Sequence, residues 1–491
     1  MQRLFNRQAL LPLQVIIICG IGAIIGLFAV WVPAYFLALG LGAIVYIVVV
    51  WSWPEFALLG LLLLLATVFD ENSLPSVSIG IGHLLVSDFL LFIPIVILLL
   101  RVAVEPGFSF NHTPLDTPLL AFYGVAMFAT ISAIIHGTVT FNQSLGEVRV
   151  VNLYLTFFVV TNLIRDDKHL RRLLNGILAL SIFVALMMIV QYFIGDIAQI
   201  LPGRVETLLT GNTSAPGVTR ILPPGQSLVL VSFITLPILL IFERKSSRFI
   251  TWFFLMLIIG FAVLVTFNRS FWVALVIALF LAILLVSTPQ KIRFINIGIW
   301  SAVIAIISIV LVFSFVGDQA RAFVDGVATR FDTLLTFGTI NEGSLQYRVV
   351  ETGYAIPQIL SHPFIGLGLG AYYRSWDSRL DYGLTDFAYI HDGHLWTILK
   401  TGLIGYLFYI SFLFIFLKRC LQYWRTIPDP FQKAIVLSFA ITIIGVLPAT
   451  IVNPIFEDSY WTPLIGIMMG TCEVIFRLNR EQNTVSLESG T

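Results

Sequence analysis

Charge is what this chain has least of. Only 11% of its 491 residues are Asp, Glu, Lys or Arg, where a soluble domain would carry about a quarter. A water-soluble fold of this length is therefore excluded. Cysteine is almost as scarce. The three present (Cys19, Cys420 and Cys472) fall in or beside apolar stretches, so neither a disulfide framework nor a cysteine metal site is expected. Regular alternation of polarity over ten-residue segments is missing as well, which rules out a β-barrel. A cleavage site is not evident after the opening "MQRLFNRQALLPLQVIIICG", whose apolar run is too long for a signal peptide, so it reads as an uncleaved first span.

What remains is hydrocarbon. Apolar residues make up 58% of the chain, mean hydropathy is +0.95, and runs of about 18 residues or more recur from end to end. The fold class is all-α: a polytopic membrane bundle of about 14 spans. They lie near 12–31, 33–51, 54–69, 87–103, 117–135, 147–164, 172–194, 225–242, 249–267, 269–287, 294–316, 395–417, 432–453 and 459–477. With the N-terminus cytoplasmic, 18 of the 28 basic residues fall on inside segments, among them Arg171, Arg172, Arg293 and Arg419. This is the bias the positive-inside rule requires, and it puts both termini in the cytoplasm.

Residues 1–316 thus read as eleven spans with an outside loop at 195–224. A large outside loop follows at 317–394, then three spans over 395–477 and a disordered cytoplasmic tail at 478–491. Loops this long are uncommon unless functional or disordered. In the large loop, "ARAFVDGVATRFDTLLTF" places Phe323, Val327, Phe331, Leu334 and Leu335 on one face of an amphipathic helix lying on the bundle or the membrane. "SLQYRVVETGYAIPQIL" predicts a second short helix, and "SHPFIGLGLGAYY" a glycine-rich turn. No pair of broken helices is evident, and ionisable residues are nearly missing from the span centres.

Titratable residues gather instead at the outer ends of spans: Glu147, Arg149, Arg204, Arg220, Arg269, Arg348, His391, Asp392 and His394. That suits chemistry at the membrane surface better than conduction through it. Arg269, in the tight turn of "LVTFNRSFWVALV", is either a snorkelling arginine or a rigidly held anion ligand. Arg348 is either a solvated helix charge three residues before Glu351 or part of the same site. His391 and His394, spaced i, i+3 beside Asp392, lack the third ligand a catalytic zinc needs, so no metal site is expected.

Two stretches in order, "SLQYRVVETGYAIPQILSHPFIGLGLGAYY" and "HDGHLWTILKTGLIGYLFYISFLFIF", resemble the O-antigen ligase and Wzy-type polymerase superfamily. Arg348, His362-Pro363, Gly366, Gly368, Gly370, His391, Gly402 and Gly405 fall on its motifs, and "FNRSFWVALVIALF" resembles its arginine hairpin, with Arg269 at the arginine. Asp392 departs from the asparagine usual after the histidine, and Lys400 stands where many relatives carry an acid. The resemblance implies a metal-independent, inverting glycosyltransferase of the bacterial inner membrane that needs no cofactor. Its donor would be a polyprenyl diphosphate-linked glycan, and its acceptor a hydroxyl of a glycan, lipid or protein; no nucleic acid is involved. Arg269 and Arg348 would hold the diphosphate, helped by Arg149, Arg204 or Arg220. His391 would take the acceptor's proton, with Asp392 or His394 as its orienting neighbour. A polymerase is the alternative within the family; a bicarbonate or glycolipid transporter and a non-catalytic scaffold are the alternatives outside it.

Overall fold

The computed structural model describes residues 34–489 apart from 70, 72–73, 75, 79–81, 208–217, 336–342 and 381–386. The predicted span near 12–31 lies outside the described residues. The other thirteen each fall on a helix: α1 (Ala34–Ser52), α2 (Glu55–Leu65), α3 (Val86–Val104), α4 (Asp116–Ile135), α5 (Phe141–Asn152) continued by α6 (Thr156–Leu163), α7 (Asp167–Ile194), α8 (Gln226–Phe242), α9 (Ser246–Val265), α10 (Arg269–Leu285), α11 (Thr288–Leu335), α13 (Gly393–Tyr423), α14 (Pro430–Ala449) and α15 (Thr462–Ser489). Helix α12 (Gly343–Ser361) belongs to the large loop. The described strands are two short antiparallel pairs, β1 (Val77–Ser78) with β2 (His83–Leu84) and β3 (Arg204–Thr207) with β4 (Thr219–Leu222). Among the described residues, eight helices are long and apolar enough to cross a membrane. Helix α2, with 11 residues, is only about 16 Å long and cannot span roughly 30 Å of hydrocarbon by itself. The protein is a helical polytopic membrane protein.

Successive helices run up and down, and their ends are tied into two faces. At one face Arg171 bonds Asp429 (2.5 Å), Arg477 bonds the carbonyls of Thr161 and Ile164, and Arg293 reaches the Glu243 carbonyl. The other face holds the α9–α10 turn, residues 361–380 and 387–392, and the 450–461 loop; the Asn453 amide bonds the Ser270 hydroxyl there. Inside, α10 runs along α14, α13 along α4 and α15 along the wholly buried α6.

Three features differ from the sequence reading. Helix α11 does not stop at 316: it continues unbroken to Leu335, so the amphipathic stretch is its extension rather than a separate helix. No proline interrupts 317–335, and Phe323 packs on Phe261, Phe267 and Tyr192; the side chains of Leu334 and Leu335 lie outside the described set. The stretch 478–489, read as a disordered tail, is helical to Ser489, where an Arg477–Glu481 contact one turn apart supports it. Finally, α13 is broken at Gly402 (φ 66°, ψ −175°), and the glycine loop 363–370 fills the break. Leu367 and Gly368 donate to the Leu399 and Lys400 carbonyls (2.8 and 3.0 Å), while Leu403 and Ile404 donate to Pro363 and Phe364 (2.8 and 3.2 Å). A Cβ on Gly402 would come within 2.2 Å of Phe364 backbone atoms, so no other residue fits without moving the loop.

The loop's seat can be tested at Gly368, which has φ +86° and whose added Cβ would lie 2.9 Å from the Ala129 carbonyl oxygen. Gly368→Ala should cost roughly 1–3 kcal/mol. Gly353→Ala, in open space on α12, should be neutral or stabilise by up to about 1 kcal/mol. Thermal denaturation in detergent reads the contrast, and equal melting temperatures for the two variants would contradict the assignment.

Candidate active site at one end of the bundle

Helix α12 presents Arg348 and Glu351 from one face, three residues apart. The Arg348 guanidinium donates through Nε and Nη2 to the Val452 carbonyl, at 3.1 and 2.7 Å. Burial lowers its pKa, and the like charge of Arg269 adds to that, while Glu351 works in the opposite direction. Glu351, 2% exposed, receives both the backbone N–H of His391 (3.1 Å) and its imidazole Nδ1, at 2.9 Å to the nearer oxygen. A nitrogen facing a carboxylate is the one that carries the proton, which leaves Nε2 with the lone pair in the neutral ring. The ring lies edge-on to Tyr389, with centroids 4.9 Å apart.

Arg269 reaches the same place through the α9–α10 turn. There Phe267, a buried phenylalanine, adopts φ 46°, a left-handed conformation that costs energy in a bulky residue and holds the turn in one shape. Asn453 then bonds Ser270, next to Arg269, while its neighbour Val452 takes Arg348. Arg269, Arg348 and His391 therefore meet at one end of the bundle, around the 450–461 loop.

Arg220 and Arg204 adjoin this group on β4 and β3. Arg220 donates to the Thr266 carbonyl (3.2 Å) and lies 3.7 Å from Glu206, which also binds Arg204 (2.7 Å). Burial first, then the Arg330 charge, push the Arg220 pKa down to about 10; Glu206 opposes this, and Arg204 and Arg269 add repulsion. Below the arginines lies an apolar cavity of about 610 Å³ between α7, α8, α9, α10 and α11. Its lining includes Trp272, one turn after Arg269, and Phe331, next to Arg330; the two rings stack with centroids 4.9 Å apart.

The remaining predicted residues serve elsewhere. Arg149 pairs with Asp88 (3.1 Å) and the His83 carbonyl, tying α5 to α3 rather than joining Arg269, Arg348 or His391. Asp392 accepts from the backbone of His394 and Leu395 and so caps α13. His394 lies between Tyr406 and the Leu447 carbonyl, packed on Phe456. The position expected for Asp392 or His394, beside the His391 ring, is held by Glu351. Its three-residue spacing from Arg348 was the available sign, but nothing in the sequence points 40 residues on to His391. Arg330, buried on the α11 extension, had no sign beyond its charge. Lys400 is fully buried within α13, paired with Glu147 (2.8 Å) and donating to the Ala371 carbonyl; the nearly charge-free span centres expected from the sequence thus hold one neutralised pair.

The fold and the site define a multi-pass helical membrane protein with an imidazole and arginines gathered at one end of its bundle. Residues 253–410 match the family model described as O-antigen ligase. The match takes in Arg269, Arg348, the glycine loop, His391 and the Gly402 break, and it places this stretch in the O-antigen ligase/Wzy superfamily. The protein is accordingly a multi-pass, ligase- or polymerase-type glycan-processing protein of the bacterial inner membrane. No curated protein matches the chain.

The Asp392 cap gives a test with a sign. Burial raises its pKa, although the two N–H bonds it accepts oppose this, so folding disfavours the charged form. Stability from this group should fall as pH rises from the ordinary aspartate range through the raised value. Asp392→Asn keeps a cap and should remove that pH dependence; Asp392→Ala should remove it as well and cost about 1 kcal/mol at the low-pH end, less as pH rises. Melting curves in detergent between pH 4 and 8 read both.

Proposed function

We propose that this protein transfers a glycan from a polyprenyl diphosphate carrier to an acceptor hydroxyl at the extracytoplasmic face of the cytoplasmic membrane, in the manner of an O-antigen ligase. The observation that carries the reading is the meeting of His391, oriented by Glu351, with Arg348 and Arg269 beside an apolar cavity. The acceptor oxygen attacks the anomeric carbon as its proton passes to His391 Nε2. The bond from that carbon to the diphosphate breaks, and its electron pair leaves with the diphosphate. Attack opposite the leaving group inverts the centre. The growing anionic charge is met by Arg269 and Arg348, with Arg204 and Arg220 adding to the field, and pre-placed cations in a site poor in water are effective at this. These guanidinium groups take the role a divalent cation would otherwise fill, so the reaction runs without metal. The isoprenoid chain suits the cavity lined by Trp272 and Phe331.

The reading includes about fourteen spans, with both termini in the cytoplasm, so that the site faces outward. A polymerase would use the same donor chemistry with another growing glycan as acceptor.

Reconstitution in liposomes with a polyprenyl diphosphate-linked oligosaccharide tests the proposal: release of polyprenyl diphosphate marks transfer, and a single addition rather than repeated addition marks a ligase. His391→Ala should lower the rate by about 10²–10⁴-fold at normal protein level. Glu351→Gln, which keeps a hydrogen bond but loses the charge, should fall between that and wild type. Arg269→Lys should also lose rate, because an ammonium cannot make the bidentate contact. Full transfer by His391→Ala would refute the assignment.

A further inference from the structure

The stretch 352–373, "TGYAIPQILSHPFIGLGLGAYY", contains no Asp, Glu, Lys or Arg, although it lies in the large loop. Every backbone N–H from Gly366 to Ala371 is paired. Gly366 donates to His362, Leu367 to Leu399, Gly368 to Lys400, Leu369 to the Thr130 hydroxyl, Gly370 to Glu147 and Ala371 to Gly368. On the acceptor side, the carbonyls of Pro363, Phe364, Gly370 and Ala371 take Leu403, Ile404, Gln143 and Lys400. A loop in water has no need of this. Irregular backbone at membrane depth does, since an unpaired group there costs several kcal/mol.

Two neighbouring helices give the depth. The loop bonds α13 at Leu399 and Lys400, six or more residues past its start at Gly393, or roughly 9 Å or more along the axis. Gly368 lies against Ala129, Thr130 and Ala133 of α4, which stays apolar to its end at Ile135. The outward side is hydrocarbon too. Ile356 and Leu360, four apart on α12, are 47% and 73% exposed, and Phe364 is 65% exposed. Phe364 backbone abuts Gly402, and beyond it Leu403 and Leu407 of α13 are exposed on the same span. At the tip the Ser361 hydroxyl donates to the Gln358 carbonyl and lies 2.9 Å from His362 Nδ1.

We infer that residues 352–371 form a re-entrant segment, with the apolar face of Ile356, Leu360 and Phe364 seated in the lipid of the leaflet on the site's side of the membrane. The occupant of that face is acyl chain, because it continues the lipid-facing surface of α13. Helix α12 then descends from the membrane boundary at Arg348 into the leaflet and returns through the glycine loop. This goes beyond the transfer reaction and does not depend on it.

Nitroxide labels on single cysteines at Ile356, Leu360 and Phe364, in a Cys19→Ser background that keeps the buried Cys420 and Cys472, test it in phosphatidylcholine/phosphatidylglycerol vesicles. Leu407 serves as the lipid reference and Ser378 as the water reference. Oxygen-to-nickel-chelate accessibility ratios close to Leu407 and several-fold above Ser378 are expected. Ratios like Ser378 would overturn the inference by placing the face in water. Protection from both reagents would overturn it in another way, by showing that a second protein or a second copy covers the face. Glycan transfer by the same labelled variants, measured separately, keeps the fate of this inference apart from that of the catalytic reading.

Discussion

The site depends on how the glycine loop is seated in the broken turn of α13. Four backbone bonds join residues 363–368 to Leu399, Lys400, Leu403 and Ile404. They anchor the C-terminal end of α12, while the bond from Arg348 to Val452 anchors its other half. Held at both ends, α12 can present only one face to the mouth of α13, and that face carries Glu351 opposite His391. Glycine is required on both sides of the joint: a side chain on Gly402 would occupy the backbone of Phe364, and one on Gly366 (φ +77°) would come within 2.6 Å of the Gly402 backbone nitrogen.

Charge is handled in two ways in this molecule. Where it is structural, it is neutralised at short range, as in the buried Lys400–Glu147 pair beside the glycine loop and the two-bond Arg419–Glu473 pair near the opposite face. Removing one partner of such a pair leaves an uncompensated buried charge, which is why both are kept together. Around Arg220 the arrangement is different. Arg204, Arg269 and Arg330 are each close enough for their charge to act on Arg220, whose pKa is depressed by burial first and then by their repulsion. A cationic field held in place against its own repulsion suits an anion, and the apolar cavity beside it suits an anion attached to a hydrocarbon chain.

The parts legible in the sequence were those written in local patterns. Helix positions from α1 onward followed from hydropathy, and Arg269, Arg348 and His391 from their place at span ends and their likeness to family motifs. The extension of α11 past 316 was not legible, because hydropathy reports where lipid ends and not where a helix does. The helical stretch 478–489 was missed for a related reason: polarity was taken for disorder, though Arg477 and Glu481 are spaced to support a helix. Asp392 was misjudged as a neighbour of the imidazole because adjacency in sequence says little at a helix start, where a carboxylate turns back to its own backbone N–H groups.

The amino-acid sequence alone determined that this chain is a helical membrane protein, which segments are apolar, and which few polar residues were available for chemistry, because the cost of burying charge and unpaired backbone in hydrocarbon acts on each segment separately. Only the tertiary structure decided that Glu351 orients His391, that Arg330 joins the arginine group, and that a turn-like stretch of glycines closes a broken helix. Those outcomes rest on contacts between residues tens to hundreds of positions apart, and no local pattern carries that information.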